Sequence, residues 1–384
     1  MNKNYEVVII GGGIHGAGIA QAAAAAGYKT LIIEKDDWAH GTSSKSSKLI
    51  HGGLRYLENA QFSLVWESLR ERRYLLSLAP SLVKPLQFMI PIYKNTRRRP
   101  WQLVIGLSLY SILARFSRLS GFSYSSNTAQ FDFLKQTQLQ KLFFYWDAQT
   151  DDIALTRAVI KSAEALGATC LHSSQFLRGT KVEEGYELNI IQNNEPMTIS
   201  ANYLINAAGP WANNVLATLT PTPTAMPIDL VKGSHLILEG QLSDNGLYLE
   251  SPSDGRAVFA LPWYGNTLLG TTEKKYSGNL DEVDISEEEK TYLLDIYKHY
   301  FPDQDINIVN AFAGLRVLPR MKASPFARPR ECIFHQDTHH PHLLTLYGGK
   351  LTGYRHTAEK VITYIKKTIG NRKAIASTKN IPLQ

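Results

Sequence analysis

The chain has 384 residues, of which 44% are hydrophobic, and this is enough for two domains with full cores. Its two cysteines, Cys170 and Cys332, lie far apart in the sequence and lack metal-ligand spacing, so we expect reduced thiols, a cytoplasmic protein and no metal site. The net charge of +7 suits anionic substrates or acidic lipid surfaces. Because no nucleic-acid-binding motif accompanies this charge, we expect no nucleic-acid partner.

The first predicted element is a βαβ unit. A β-branched strand is followed by a turn with the spacing Gly-x-Gly-x-x-Gly, an Ala-rich helix, a second strand and an acidic residue, Glu34. This order predicts a dinucleotide site, because the glycines let the backbone approach a pyrophosphate at the positive end of the helix and the acid can bind a ribose diol. The turn residues that we expect at the dinucleotide are Gly11, Gly13, Ile14, His15 and Gly16.

A segment dense in hydroxyl groups, and then in glycine and basic residues, runs from Glu34 to Glu58. It closely resembles the flavin loop of the FAD-dependent glycerol-3-phosphate dehydrogenases, within the broader D-amino-acid-oxidase-like superfamily of FAD enzymes. Later motifs carry the same resemblance, which spans about residues 5 to 367. They are Val231-Lys232-Gly233-Ser234-His235, Gly270-Thr271-Thr272-Glu273, Ala313-Gly314-Leu315-Arg316 and the loop from Tyr347 to Arg355.

A basic and apolar segment follows at residues 97–119. Three arginines and Trp101 precede an apolar run that is too short to span a bilayer. This pattern suits an interfacial helix at a membrane surface, and the alternative is an amphipathic helix packed on its own domain. Because bacterial relatives deliver electrons to membrane quinone, the resemblance favours peripheral contact with the inner face of the cytoplasmic membrane. The residues predicted to form one apolar face are Ile105, Leu109, Ile112, Phe116 and Leu119.

The remaining pattern predicts helices and an antiparallel meander. We expect helices at residues 61–78, 151–166, 286–300 and 354–368, strands at 181–192 and 198–206, and a meander over 228–272. Residues 121–150 give no clear periodicity.

The predicted fold class is α/β plus α+β. A Rossmann-like FAD-binding domain, of the glutathione-reductase type and D-amino-acid-oxidase-like, is interleaved with an antiparallel-sheet substrate domain. We assign residues 1–80, 147–220 and 308–370 to the first domain, 81–146 and 221–307 to the second, and 371–384 to a C-terminal tail.

The resemblance implies FAD as the cofactor. A nicotinamide enzyme would have no use for the hydroxyl-rich loop or for the Gly-Gly-Lys-Leu-Thr ending. Beyond the glycine turn, the residues expected to contact FAD are Glu34, Lys35, Thr42, Ser43, Ser44, Ser46, Ser47, His51, Gly52, Gly53, Ala207, Ala208, Gly209, Gly349, Lys350, Leu351 and Thr352. No residue is predicted as a covalent attachment point, although His40 and His51 stay open.

Flavin-dependent oxidation of an alcohol needs a base for the hydroxyl proton and positive charge near the ring. An anionic substrate also needs fixed cations. By resemblance, Arg55 and Arg316 take the substrate anion and Lys350 lies at the flavin ring. His235 is the preferred base and a substrate contact, and His51 is its rival. Tyr56 is expected to line the substrate pocket.

The resemblance implies oxidation of sn-glycerol 3-phosphate to dihydroxyacetone phosphate, with hydride to flavin N5 and electrons passed on to quinone. A related enzyme for another anionic 2-hydroxy or 2-amino acid, and a flavin-binding protein without turnover, are the alternatives. Two departures favour the first of these: the family's C-terminal helical domain is not found after the last predicted helix, and Ala154 stands where the family commonly has arginine. The residues leave the electron acceptor and a homodimer open.

Overall fold

Two sheets organise the chain, as described by a computed structural model over residues 3–115, 119–320 and 331–384. The strands are β1 Lys3–Ile10, β2 Thr30–Ile33, β3 Leu49–Ile50, β4 Val83–Tyr93, β5 Ser123–Ser125, β6 Leu139–Thr150, β7 Thr169–Leu171, β8 Ser174–Val182, β9 Gly185–Gln192, β10 Glu195–Asn206, β11 Leu219–Thr220, β12 Ile228–Leu238, β13 Gly246–Glu250, β14 Ala257–Trp263, β15 Asn266–Gly270, β16 Lys274–Tyr276, β17 Ile308–Pro319, β18 Cys332–His335 and β19 Leu343–Gly348. The helices are α1 Ile14–Ala25, α2 Phe62–Leu78, α3 Pro100–Leu113, α4 Asp152–Ala165, α5 Ala212–Ala217, α6 Glu287–Tyr300 and α7 Tyr354–Ile369.

The first sheet is built around β1, which pairs in parallel with β2 on one side and β10 on the other. Further parallel pairs join β10 to β19 and β2 to β7, while β8, β9 and β10 form an antiparallel extension. The small side chains of α1 let it pack closely on this sheet, and α4 and α7 lie beside it. The predicted Rossmann-like architecture is confirmed.

The second sheet consists of β3–β6 and β12–β17, with long antiparallel pairs between β4 and β6 and between β12 and β17. The predicted antiparallel meander is present as β13, β14 and β15, and β12 pairs with β15 beside it. The long strands β4 and β6 were not predicted. One face of this sheet carries α6, and residues of the other face pack against α3. The strand β17 contacts β19 of the first sheet and the turn Thr42–Ser44 of the flavin loop.

The strand pairing bears on the proposed domain division. Along its whole length β17 pairs with β12, from Pro319 beside Ile228 to Ile308 beside Leu238. The division placed residues 308–319 in the first domain, and we propose instead that they belong to the second. The tail at 371–384 packs on the first domain, because the Ile375 and Leu383 amides donate to carbonyls at the ends of α1 and α2.

The helix α3 packs with one side and exposes the other. Leu103, Leu107 and Tyr110 are buried, whereas Ile105 and Ile112 are 59% and 55% exposed. Of the predicted apolar face within α3, Ile105 and Ile112 therefore point to solvent, and Leu109 is half-buried. The helix ends at Leu113, so Leu119 lies beyond it, and Phe116 and Arg118 are outside the described residues. Among the described residues, no helix combines the length and apolarity needed to cross a membrane.

Candidate functional site

A cavity of about 510 Å³ lies between the two sheets, and most of the predicted site residues line it. They come from the glycine turn, the end of β2, the hydroxyl-rich loop, the turn after β10, the strands β12 and β17 and the loop after β19. The predicted residues in its lining are Gly11, Gly13, Ile14, His15, Glu34, Lys35, Thr42, Ser43, Ser46, Ser47, His51, Tyr56, Ala207, Ala208, Gly209, His235, Arg316, Gly349, Lys350, Leu351 and Thr352. We call this space the flavin cavity.

The glycine turn brings backbone to the N-terminus of α1. Gly11 has φ +110°, and a Cβ there would lie 2.6 Å from the Ala207 carbonyl oxygen. Only glycine fits such a left-handed position at that distance. At the helix start, the Ile14 amide donates to the Ser43 hydroxyl at 2.9 Å, so a loop hydroxyl meets the positive end of the helix dipole.

The end of β2 is fixed against this turn. The Glu34 carboxylate accepts from the Gly12 amide at 2.6 Å and from the Asp36 amide at 2.9 Å. Beside it, the Lys35 ammonium donates to Asp281 at 2.7 Å and lies 4.8 Å from the Trp211 ring centre. One wall of the flavin cavity thus carries an oriented carboxylate and an aromatic ring.

A buried ion pair between Lys48 and Asp152 anchors the hydroxyl-rich loop. The Lys48 ammonium lies 2.6 Å from an oxygen of Asp152, whose other oxygen accepts from the Ser46 hydroxyl at 2.6 Å. Both charged side chains are almost fully buried, and Lys48 has φ +59°. A buried pair holding a left-handed, non-glycine residue indicates a loop whose shape is strongly constrained.

His235 lies on β12 behind the loop. Its Nε2 is 2.9 Å from the Ser47 hydroxyl, its ring stacks on Phe312 at 4.9 Å, and its buried Nδ1 has no partner among the described residues. Burial, and then the positive charges of Arg316 and Lys48, hold the pKa of His235 well below its ordinary value. Burial and these two cations therefore favour the neutral imidazole.

Two cationic side chains, Arg316 and Lys350, and the aromatic ring of Tyr56 also line the flavin cavity. The Arg316 Nη2 is 3.4 Å from the Thr271 hydroxyl, and its Nη1 is 3.7 Å from Glu273. The Lys350 ammonium is 4.2 Å from the Tyr56 ring centre and 3.4 Å from the Ser68 hydroxyl. These fixed positive charges can bind an anion or stabilise negative charge on a ring in the cavity.

The loop after β19 closes against the glycine turn. Gly349 has φ +98°, and a Cβ there would lie 2.3 Å from Nε2 of His15. The Nδ1 of His15 is buried without a partner among the described residues, and burial lowers its pKa to about 4. The Nδ1 atom therefore keeps its hydrogen-bonding capacity for a bound group.

Five predicted residues are not in the cavity lining. Gly16 packs on the Gly11 carbonyl, Ser44 bonds to loop carbonyls, and the Gly52 amide donates to Tyr110 and Asp147. Gly53 abuts the Tyr56 ring. These residues shape the loop that others present to the cavity. Arg55 lines a different cavity. The resemblance also suggests Arg328 and Arg330 as further phosphate contacts, and both lie outside the described residues.

That second cavity has a volume of about 910 Å³ and lies between α3 and the second sheet. Its walls combine arginines, among them Arg55, Arg97 and Arg256, with apolar residues of α3. Sequence reasoning did not predict it. It also missed Lys45 of the loop itself, and Trp211, Gly233 and Gly314, which reach the flavin cavity only through the folding of distant segments.

Comparison with known proteins gives the family. A profile of the FAD dependent oxidoreductase family matches residues 6–355. The chain belongs to the FAD dependent oxidoreductases.

Several curated relatives are about one-third identical over nearly the whole chain. A glycerol-3-phosphate dehydrogenase of Synechocystis is 36% identical, with 94% of this chain and 70% of the relative covered. A D-erythritol 1-phosphate dehydrogenase of Brucella abortus is 35% identical, with 95% and 74% covered. The solved glycerol-3-phosphate dehydrogenase of Bacillus halodurans, complexed with FAD, has a TM-score of 0.76 at 26% identity and covers 99% of this chain and 68% of that chain.

The cavity residues fit FAD, the cofactor of this family. The backbone at Gly11 and the N-terminus of α1 suit the pyrophosphate of a flavin dinucleotide. The carboxylate of Glu34 suits its ribose, and the cationic Lys350 suits its ring. Within the described ranges, no group of three or more His, Cys, Asp or Glu residues could hold a metal ion.

Proposed function

We propose that this FAD-dependent oxidoreductase oxidises sn-glycerol 3-phosphate at C2 to give dihydroxyacetone phosphate. The observation that carries the proposal is that Arg316, Lys350, His51 and His235 all line the cavity whose residues fit FAD. The identity of about 35% to glycerol-3-phosphate dehydrogenases, over almost the whole chain, supports the same substrate.

In this proposal the positively charged side chains bind the substrate anion and stabilise the reduced flavin. Arg316 binds the substrate phosphate, and Tyr56 packs beside the substrate with Lys350 held across its ring. Arg55 faces the second cavity, so we assign its charge to the approach of the anion rather than to direct contact. Bound FAD supplies the hydride acceptor, and Lys350 stabilises the negative charge that the ring gains.

The histidines take different roles in this proposal. A base must gain a proton in the reaction, and the burial and cationic neighbours that lower the pKa of His235 oppose that. We therefore assign the hydroxyl proton to His51, whose backbone amide is held by the Thr352 hydroxyl at 3.1 Å. His235 stays neutral and fixes Ser47, which reverses the preference drawn from the sequence.

We also propose that the electrons pass from the flavin to a membrane quinone. The exposed face of α3 carries Trp101, Ile105 and Ile112, which are 63%, 59% and 55% exposed, directly after the three arginines. Apolar residues beside a basic cluster favour binding at an anionic bilayer surface. We propose peripheral contact through this face.

A second candidate is a longer phosphorylated polyol. The relative named D-erythritol 1-phosphate dehydrogenase is as similar to this chain as the glycerol-3-phosphate dehydrogenases are. A substrate of this class would use the same cation and base, and the length of its carbon chain would decide between the two.

The test is the anaerobic absorption spectrum of the FAD-loaded protein, recorded before and after addition of each substrate. Loss of the oxidised flavin band within seconds of adding sn-glycerol 3-phosphate is the expected result. Faster loss with D-erythritol 1-phosphate would favour the second candidate. Reduction only by a 2-hydroxy or 2-amino acid, or by no substrate, would refute both.

A further inference from the structure

Glu273 lies between two arginines that face different cavities. One of its carboxylate oxygens is 3.7 Å from Nη1 of Arg316, in the flavin cavity. The other is 3.4 Å from Nη2 of Arg256, in the second cavity. The Glu273 side chain is only 5% exposed, so its charge acts on these neighbours with little screening by water.

The turn that carries Glu273 is fixed by buried hydrogen bonds. The Ser234 amide donates to the Thr272 hydroxyl at 2.9 Å, and that hydroxyl donates to Glu289 at 2.7 Å. Glu289 in turn lies 2.7 Å from the Lys232 ammonium. A carboxylate on a turn held in this way keeps its place when a neighbouring side chain moves.

The guanidinium of Arg316 has little freedom in its present position. Its Nη2 contacts the Thr271 hydroxyl at 3.4 Å, and a Cβ added to Gly233 would lie 3.0 Å from the same atom. The side chain therefore runs between the glycine of β12 and the turn at residues 271–273. Glu273 contacts the other guanidinium nitrogen.

We propose that Glu273 is a positioning residue for the substrate anion. It holds the guanidinium of Arg316 toward the flavin cavity, and Arg256 anchors Glu273 from the second cavity by contacting both its carboxylate and, at 3.4 Å, its backbone carbonyl. The inference rests on the proposed function in one respect, the binding of the substrate anion by Arg316.

Positioning of Arg316 by Glu273 and a purely through-space effect of charge predict different changes in anion affinity. If only through-space charge mattered, removing the acid would strengthen anion binding and removing Arg256 would weaken it. If Glu273 positions Arg316 and Arg256 anchors Glu273, both losses release the same guanidinium. Both would then weaken anion binding.

The experiment uses the FAD-loaded protein and sulfate, a dianion similar in shape to phosphate. The dissociation constant is read from the change in flavin absorbance during titration. Glu273→Gln and Arg256→Gln should each raise it about tenfold, and Glu273→Asp, which keeps the charge, should restore most of the affinity. Opposite shifts in the two glutamine variants, or unchanged affinity in both, would overturn the proposal. If a glutamine variant does not fold, Glu273→Ala or Arg256→Met takes its place and should raise the dissociation constant in the same direction.

Flavin reduction by sn-glycerol 3-phosphate adds a second readout. Positioning predicts a rise in the substrate concentration needed for half-maximal rate, with a smaller change in the limiting rate and in FAD content. Glu250→Gln is the matched control: Glu250 pairs with Arg98 at 2.7 Å beside the second cavity, makes no described contact with Arg316, and its variant should match the parent protein.

The outcomes separate this inference from the proposed function. If sulfate shows the expected shifts but sn-glycerol 3-phosphate does not reduce the parent protein, the proposed substrate is wrong and the positioning role stands. If the substrate reduces the parent protein and sulfate affinity is unaltered in both variants, the substrate stands and the positioning role is wrong.

Discussion

The buried pair of Lys48 and Asp152 gives the sharpest test of how the flavin loop is held. Asp152 is fully buried, and its carboxylate accepts from the Lys48 ammonium and from both the amide and the hydroxyl of Ser46. Asp152→Asn keeps the shape of the side chain and removes its charge. It leaves the Lys48 ammonium, which is 5% exposed, without an anionic partner.

The expected cost follows from this burial. Breaking a buried pair by neutralising one member costs about 3–5 kcal/mol, because the remaining charge is left uncompensated. The neighbouring variant Asp151→Asn is the matched control. Asp151 caps α4 by accepting from the Ala154 amide at 2.9 Å, and asparagine caps a helix about as well as aspartate.

The assay is urea unfolding of the FAD-loaded protein, combined with the FAD dissociation constant. Asp152→Asn should lower the unfolding free energy by about 3 kcal/mol and weaken FAD binding, whereas Asp151→Asn should change both only slightly. Replacing both partners, with Lys48→Met and Asp152→Leu, should recover much of the lost stability. Equal effects of the two single asparagine variants would refute the reasoning.

Four further expectations concern charge and surface. Arg316→Ala should raise the half-saturating substrate concentration strongly and leave FAD content unchanged; loss of flavin with normal reduction of the remaining holoenzyme would contradict its role. His51→Asn should slow anaerobic flavin reduction about a hundredfold or more, as loss of a general base does, and a normal rate would return the role to another group. The pair Ile105→Glu and Ile112→Glu should release the folded protein from anionic vesicles in a flotation assay, and failure of the parent protein to bind would remove the membrane proposal. Hydrogen bonds to two glutamates raise the pKa of His356, so its stabilisation is complete below the unfolded pKa and is lost as pH rises through the folded pKa; His356→Gln should flatten that loss in unfolding measured from pH 6 to 9.

The parts of the site that the sequence predicted are local in the chain. The strand, turn and helix around Gly11 lie within one short segment, so their glycine spacing and hydrophobic pattern determine their geometry. The helices α2, α4, α6 and α7 begin and end within a residue or two of their predicted bounds for the same reason. The strand β4 was missed because it contains Pro85 and Pro91, which usually argue against a strand.

Arg55 and Tyr56 are neighbours in the sequence but line different cavities. Arg55 was assigned to the substrate anion by resemblance and Tyr56 to the substrate pocket, and both residues lie in a 3-10 turn at Leu54–Asn59. With three residues per turn, consecutive side chains point about 120° apart. Tyr56 therefore faces the flavin cavity and Arg55 the second cavity.

The charges that hold the site could not be paired from the sequence, because each pair joins segments far apart in the chain. Lys48 and Asp152 are 104 residues apart, and Thr42 of the flavin loop bonds to the Leu315 carbonyl 273 residues away. A motif indicates which side chains carry the chemistry, but only the packing of the two sheets determines which charges face them. The lowered pKa of His235 illustrates the consequence, since its neighbours Arg316 and Lys48 come from opposite ends of the chain. The same histidine, judged by residue type alone, is a suitable base; judged by those neighbours, it is better suited to hold Ser47 in place.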